Sequence, residues 1–341
     1  MGLTVVLLGI FDPFYVAFGW FMKLLYDGLG NYGLVIIVFT IILRALMIPL
    51  GINQQKSSIK QQALQGEIAE IQRNHPNDKA TQSQLQMELY KKHGASPLSG
   101  CLPSIIQLII ILPIFQIIRA PLQYIMRVSA ENLDKIGQLL YGASLITENE
   151  AKVAATQNIP LINALSEHAS AFSETVNQGL MRVNQLLDLD FMGMNLGLIP
   201  TWRPALLFGA DTWRTYVPLL IIPVIVLGTT IAQMKITRMT IPNRKKRAED
   251  KAREKINPAR AGQAPEDKTE SMMKTMNIIM PIFMLWTTFS MPAALGLYWT
   301  IGNIMAILQS LLIYFLFTRK LEHPVSPPVQ LKSTESVTVK S

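Results

Sequence analysis

Cysteine is nearly absent from this sequence. One residue, Cys101, stands in 341, which excludes an internal disulfide framework and any CxxC redox or zinc pair. Histidine is almost as scarce, and His75, His93, His168 and His323 are scattered without helical pairing, so metal-ligand spacing is missing too. Charged residues make up only 16% of the chain, half of it is hydrophobic, and the net charge is nevertheless +8. That combination is foreign to a soluble domain and points to a polytopic membrane protein whose basic residues gather in particular loops rather than on a nucleic-acid-binding face. HExxH, GxSxG and Walker A patterns are missing, as is any pair of carboxylates inside an apolar run. Hydrolysis and ATP-driven pumping therefore have no candidate groups, and the sequence predicts neither an enzyme nor a cofactor or metal. The opening MGLTVVLLGIFDPF has no basic n-region, no clear small-residue cleavage site and no lipidatable cysteine, so it does not read as a cleaved signal peptide.

What is present begins with Tyr32 to Leu50, an apolar run of bilayer-spanning length that contains one full charge, Arg44. A guanidinium deep in hydrocarbon costs about 2.5–3.5 kcal/mol on insertion scales, so something must compensate it. One reading is snorkelling toward the nearer interface. The other is that Arg44 faces a water-filled cavity between helices and meets an acidic or polar ligand there. Thr40 lies one turn away on the same face. Gln107, Asn303 and Gln309 are the further polar side chains inside apolar runs, with Tyr298 and Trp299 at the start of the last run. Met273, Met276, Met280 and Met284 recur at helical spacing, a pliable surface for varied apolar sequences or else plain helix packing.

In chain order, residues 1–31 read as an interfacial amphipathic segment. Pro13 interrupts the first apolar stretch, and Phe14, Phe18, Phe21 and Leu25 share a face; a single kinked apolar helix from Met1 is the alternative. Gly28, Gly30 and Gly33 spell GxGxxG but follow no strand, so they are taken as a hinge. Spans are expected at 32–50, 101–126, 215–234, 273–290 and 291–317. Residues 51–100 are expected to form a helical hairpin, with Leu64, Ile68 and Ile71 on one arm, Leu85 and Leu89 on the other, the turn at NHPND, Asp78 as a cap and Gly94 as a stop. Residues 127–214 read as a long polar region with weakly amphipathic helical patches. The 235–272 loop is basic, with RKKR at 244–247, and 318–341 is a tail. Basic residues near span ends stay cytoplasmic. That rule places the N-terminus and residues 127–214 outside, and the hairpin, the basic loop and the C-terminus inside.

Three stretches, FTIILRALMIPL at 39–50, SPLSGCLPSIIQ at 96–107 and MPIFMLWTTFSMPAALGLYWTIGNIMAILQ at 280–309, together with the hairpin and the basic tail, resemble the YidC family of membrane protein insertases, relatives of the oxidase-assembly and Albino proteins. The resemblance is to the short Gram-positive form. It implies an all-α polytopic protein of the bacterial cell membrane, with five transmembrane helices around a hydrophilic groove open to the cytoplasm and sealed outside. By the same resemblance Arg44 is the groove arginine that receives the polar part of a substrate, Thr40 and Gln107 line the groove, and Tyr298 and Trp299 are the aromatic pair of the last span. The substrate helix is implied to slide along the second and fourth spans. Nascent membrane proteins and membrane lipids are the implied partners, and the Sec translocon, the ribosome and the signal recognition particle machinery are further ones, met through the hairpin and tail. Three departures stand out. Pro113 comes later than the family places a proline, residues 127–214 are longer than usual, and Trp299 stands where some members carry tyrosine. Two other classes fit the residues themselves, an anion transporter or channel built on Arg44 and a scaffold that assembles membrane proteins without inserting them.

Overall fold

The computed structural model describes residues 2–94, 102–210, 212–239 and 268–318. Helix α1 (Gly2–Leu29) runs through Pro13 without a break. It thus takes the single-helix alternative, not the interruption expected at Pro13. Proline removes one intrahelical donor, a local loss that continued hydrogen bonding on either side tolerates. An aromatic seam joins α1 to α2 (Tyr32–Leu46): Phe18 and Phe21 lie 5.5 and 6.0 Å from the ring of Phe39. Between the two helices Gly30 adopts φ +66, a left-handed conformation that costs glycine little, and its N–H donates to the Tyr26 carbonyl at 2.8 Å. Asn31 then caps α2 by accepting from the Leu34 N–H at 3.1 Å.

Helix α3 (Ile48–Ala63) continues α2 after a bend of 48° at Met47. The cause is local. Pro49 has no N–H to give to the Ala45 carbonyl and disfavours helical geometry at Ile48, while the Met47 N–H divides itself between the Leu43 and Arg44 carbonyls, both at 3.2 Å. Helices α4 (Gln65–Asn74) and α5 (Lys79–Lys92) pack through a small separate cluster of Leu64, Ile68 and Leu89, flanked by Ile71 and Tyr90. Asp78 caps α5, accepting from the Thr81 N–H at 3.0 Å and the Thr81 hydroxyl at 2.6 Å.

Helix α6 (Leu102–Arg119), with Pro113 inside it, leads into the part of the chain that sequence reading describes least well. Residues 120–207 fold as a packed cap. Its elements are α7 (Pro121–Tyr124), α8 (Ala130–Gly142), α9 (Glu148–Lys152), α10 (Ile159–Glu167), α11 (Ala169–Asn177), the two-residue antiparallel strands β1 (Asp190–Phe191) and β2 (Met194–Asn195), and α12 (Pro204–Leu207). Leu133, Ile136, Leu140, Leu161, Ile162 and Leu196 are fully buried there and continuous with the core of the long helices. Hydrogen bonds to the cap's main chain tie it to two of those helices. The Tyr32 N–H donates to Asp188 and the Asn31 amide to the Asp190 carbonyl, at 3.3 and 2.7 Å, which anchors the start of α2.

The remaining helices are α13 (Trp213–Leu219), α14 (Ile221–Met239), α15 (Lys268–Thr288) and α16 (Ala293–Ile313). The first donors of α16 would be orphans in isolation; instead Ala293 and Ala294 donate to the Leu198 and Leu196 carbonyls, each at 2.9 Å. Among the described residues, Trp213–Thr237 and Ala293–Leu316 are long and apolar enough to cross a membrane, and the bent Tyr32–Leu46 and Ile48–Gln54 pair makes a third if counted as one span. The stretches Ile109–Arg119 and Ile278–Thr288 are apolar but shorter. The protein is thus a mostly helical membrane protein. The SPLSGC entry to α6, the RKKR patch and the tail beyond residue 318 lie outside the described residues.

Candidate functional site

Arg44 sits on α2 one turn before the bend, half-buried against α16. One neighbour there is marked by an absent side chain. A Cβ built on Gly302 would lie 3.0 Å from Nη2 of Arg44, 3.6 Å from Nε and 3.7 Å from Cζ, so the guanidinium closes tightly on the space beside this glycine. Seven residues further on, the arrangement repeats with the roles reversed. The Gln309 side chain of α16 lies over Gly51 of α3, in the volume of a missing Cβ. Arg44 to Gly51 and Gly302 to Gln309 are the same interval, two helical turns, so the α2–α3 pair and α16 run side by side in the same direction. Two glycines, one on each side, let the polar side chains close on backbone.

A second polar seam joins α14 to α16. The Asn303 amide donates to the hydroxyls of Thr229 and Thr230 at 3.2 and 2.9 Å. Further along, Thr237 of α14 and Ser310 of α16 share a hydrogen bond of 3.4 Å, and Gln233, one turn earlier on α14, donates to the same Thr237 hydroxyl at 3.3 Å within its own helix. Interhelical bonds of this kind in a bilayer average about 0.6 kcal/mol each, enough to fix register but little more.

The other expected site residues are placed as follows. Thr40 is fully buried, and its hydroxyl donates back to the Ile36 carbonyl at 2.6 Å. Tyr298 is buried one turn before Gly302, which in the parallel register puts it level with Thr40. Trp299 is partly exposed; its indole N–H is buried without an acceptor among the described residues. For Gln107 the backbone belongs to α6, and its side chain lies outside the described residues, as do those of Met273 and Met276. Met284 packs on the core while Met280 is exposed. Ile278, Ile282 and Trp286, each more than 60% exposed, recur at four-residue spacing as an apolar face of the same helix, α15. Among the described residues no three histidine, cysteine or acidic side chains come close enough to share a metal ion.

Sequence reasoning finds Arg44, Asn303 and Gln309 because a polar group in an apolar run is conspicuous. It misses Gly51, Gly302, Thr229, Thr230 and Gln233. Asn303 next to glycine and the Thr229–Thr230 pair are the signals that point to a close polar helix contact.

The family model described as 60Kd inner membrane protein matches residues 24–320. The chain is similar to the membrane protein insertase YidC 2 of Bacillus anthracis, 28% identical over 288 residues that cover 83% of this chain and 72% of that protein. A second YidC 2, from Listeria innocua, is 27% identical over 307 residues, 89% of this chain and 71% of the relative. The membrane protein insertase YidC of Syntrophus aciditrophicus is 44% identical over a shorter stretch of 87 residues, 26% of this chain and 16% of that protein.

Proposed function

The chain belongs to the 60Kd inner membrane protein family, that of the YidC insertases, which are not enzymes, and from that premise we propose a mechanism in which Arg44 receives the polar segment of a nascent membrane protein. Five helices, α2 with the start of α3, α6, α13–α14, α15 and α16, enclose a hydrated groove that opens to the cytoplasm. The α4–α5 hairpin lies in the cytoplasm with the C-terminus, the cap lies outside, and α1 rests in the outer interface ahead of the first span. The hairpin and basic tail meet the ribosome and signal recognition particle machinery, and the Sec translocon cooperates on larger substrates.

The observation that carries this reading is the half-buried guanidinium held beside Gly302 between apolar helices. A hydrated groove shortens the path of a polar tail through hydrocarbon. Arg44 offsets the desolvation of acidic groups in that tail, and the membrane potential adds about 2.3 kcal/mol per charge per 100 mV in the outward direction for negative charge. The substrate helix leaves along the exposed apolar face of α15 and along α6, driven by burial of its surface in lipid. Thr40 and Tyr298 brace the arginine from one turn away, and Trp299 and Gln107 line the path.

Insertion of a single-span substrate into liposomes holding only this protein tests the proposal. Arg44→Ala should impair substrates with acidic outer tails and Arg44→Lys should retain most activity. Unchanged insertion of every substrate by Arg44→Ala would remove the arginine from the mechanism, and small-anion flux without insertion would favour a transporter.

A further inference from the structure

A cleft lies at the cap, away from Arg44. It measures about 700 Å³, within the range of about 300–1,000 Å³ that ligand sites occupy. Its floor is the last turn of α6, at Arg119, and residues 289–292, the turn between α15 and α16. One wall is the run 199–203. Here the main chain is irregular, and among the described residues nothing bonds to the N–H groups of Ile199, Thr201 and Trp202 or to the carbonyls of residues 199–202. Trp202 itself is 74% exposed. The cleft is lined by both signs of charge, Arg119 and Arg203 with Glu150 and Glu167.

We propose that this cleft binds an extended polar polypeptide, the translocated tail of a substrate, paired as an added strand along residues 199–202. The inference rests on the insertase path proposed above. Unpaired main-chain groups, here the carbonyls of 199–202 and the N–H groups on either side of Pro200, bind a partner backbone through hydrogen bonds and so accept any sequence, which is what a protein handling many tails requires. Four residues present roughly 13 Å of edge at about 3.3 Å per residue. Mixed charge offers a partner to either sign in the tail. With two arginines against two carboxylates the cleft carries no net positive charge that would select an anionic lipid headgroup. Position completes the argument. A tail emerging over the ends of α6 and α15, the helices assigned to the substrate, meets this cleft first.

Arg44 stands twelve residues below Tyr32, or about 18 Å along the helix, so an extended tail needs about six residues to reach the cap. The test places a benzophenone side chain at position 202, or at 199, in the full-length protein in liposomes. A third variant carries it at position 41, which is exposed one turn from Arg44 and reports on the groove. A single-span substrate is arrested with an outer tail of either about three or about twenty residues, well below and above that reach. The expected result is an adduct at 41 with both tails, and at 202 and 199 with the long tail alone. Adducts at 41 without any at 202 or 199 would overturn the cleft site and leave the groove reading standing. Adducts at 202 that prove to be lipid or a second copy of the protein would overturn it equally. Long-tail adducts at 202 with none at 41 would support the cleft and refute the groove path, and silence at all three positions would refute both.

Discussion

Replacing Gly302 is the sharpest test of how Arg44 is held. A Cβ at this position lies 3.0 Å from Nη2. That is too close by a few tenths of an ångström, but the neighbour is the far end of a flexible side chain. Gly302→Ala therefore lets the arginine yield slightly, and the helix gains about 0.8–1.0 kcal/mol of propensity. Gly302→Val cannot be absorbed so easily, because both branches are fixed near one rotamer in a helix and crowd the guanidinium. If the charge moves from about 4 to about 6 Å from an acidic group in the substrate, the Coulomb term at an effective dielectric of about 20 falls by roughly 1.4 kcal/mol, a tenfold effect. In fully hydrated surroundings, with a dielectric near 80, the same displacement costs about a quarter of that, or less than twofold. The assay is the insertion rate of a substrate with an acidic tail against the same substrate with a neutral tail, with thermal unfolding in detergent measured in parallel. Gly302→Ala should keep both, while Gly302→Val should lower acidic-tail insertion by roughly two- to tenfold and spare the neutral tail. On an Arg44→Ala background the valine effect should vanish, since the pair interacts directly. Equal losses for both tails, or a valine effect that persists without Arg44, would refute the claim that Gly302 acts through the guanidinium.

Gly51→Ala drives a methyl into the flexible amide end of Gln309, which must swing aside; it should lower stability by no more than about 1 kcal/mol, the low end of overpacking costs, and Gln309→Ala on that background should recover most of the loss in thermal unfolding. Gly33→Ala meets the ring and Cβ of Phe191, which cannot swing away so easily, so it should cost more, about 1–3 kcal/mol, and Phe191→Ala should suppress it. The carboxyl of Asp78 is held below its ordinary range, chiefly by the Thr81 hydroxyl and then by the Thr81 N–H. A lowered folded-state value means that its contribution is present above the ordinary carboxylate range and is lost as pH falls through the lowered value. Amide exchange at Thr81, corrected for intrinsic rates, should accelerate on acidification below about pH 4, and Asp78→Asn should abolish that pH dependence.

Strong local chemistry made parts of the fold legible. The left-handed turn at Gly30, the Asp78 cap and the Leu64, Ile68 and Leu89 contacts of the α4–α5 pair follow from residue types whose preferences need no distant partner. Pro13 misleads because a helix can absorb the loss of one donor. The cap was not legible because its helices are four to thirteen residues long. A helix of one to three turns shows each apolar face only a few times, and burial of residues such as Ile136 and Leu161 is decided by neighbours far away in sequence. The capping box at Thr147 and the Ser129 cap were the readable traces. Gly51 and Gly302 escape for another reason. A glycine in an apolar helix reads as a weak helix former until the register of the opposing helix is known.

That register is set from the cap. Backbone bonds fix the start of α2 at Tyr32 to Asp188 and the start of α16 at Ala293 and Ala294 to Leu198 and Leu196. Both helices are thus measured from one origin, since residues 188–198 form a single short stretch around the β1–β2 hairpin. Arg44 then falls about 18 Å along α2 and Gly302 about 14 Å along α16, at about 1.5 Å per residue, and the bonded ends supply the offset that brings the two level. A slip of one turn toward the start of α16, about 5.4 Å, would set the guanidinium against the position of Tyr298, a large buried side chain that leaves no room for it. The part of the chain with the weakest sequence pattern therefore determines whether the most conspicuous residue in the sequence meets a glycine or a tyrosine.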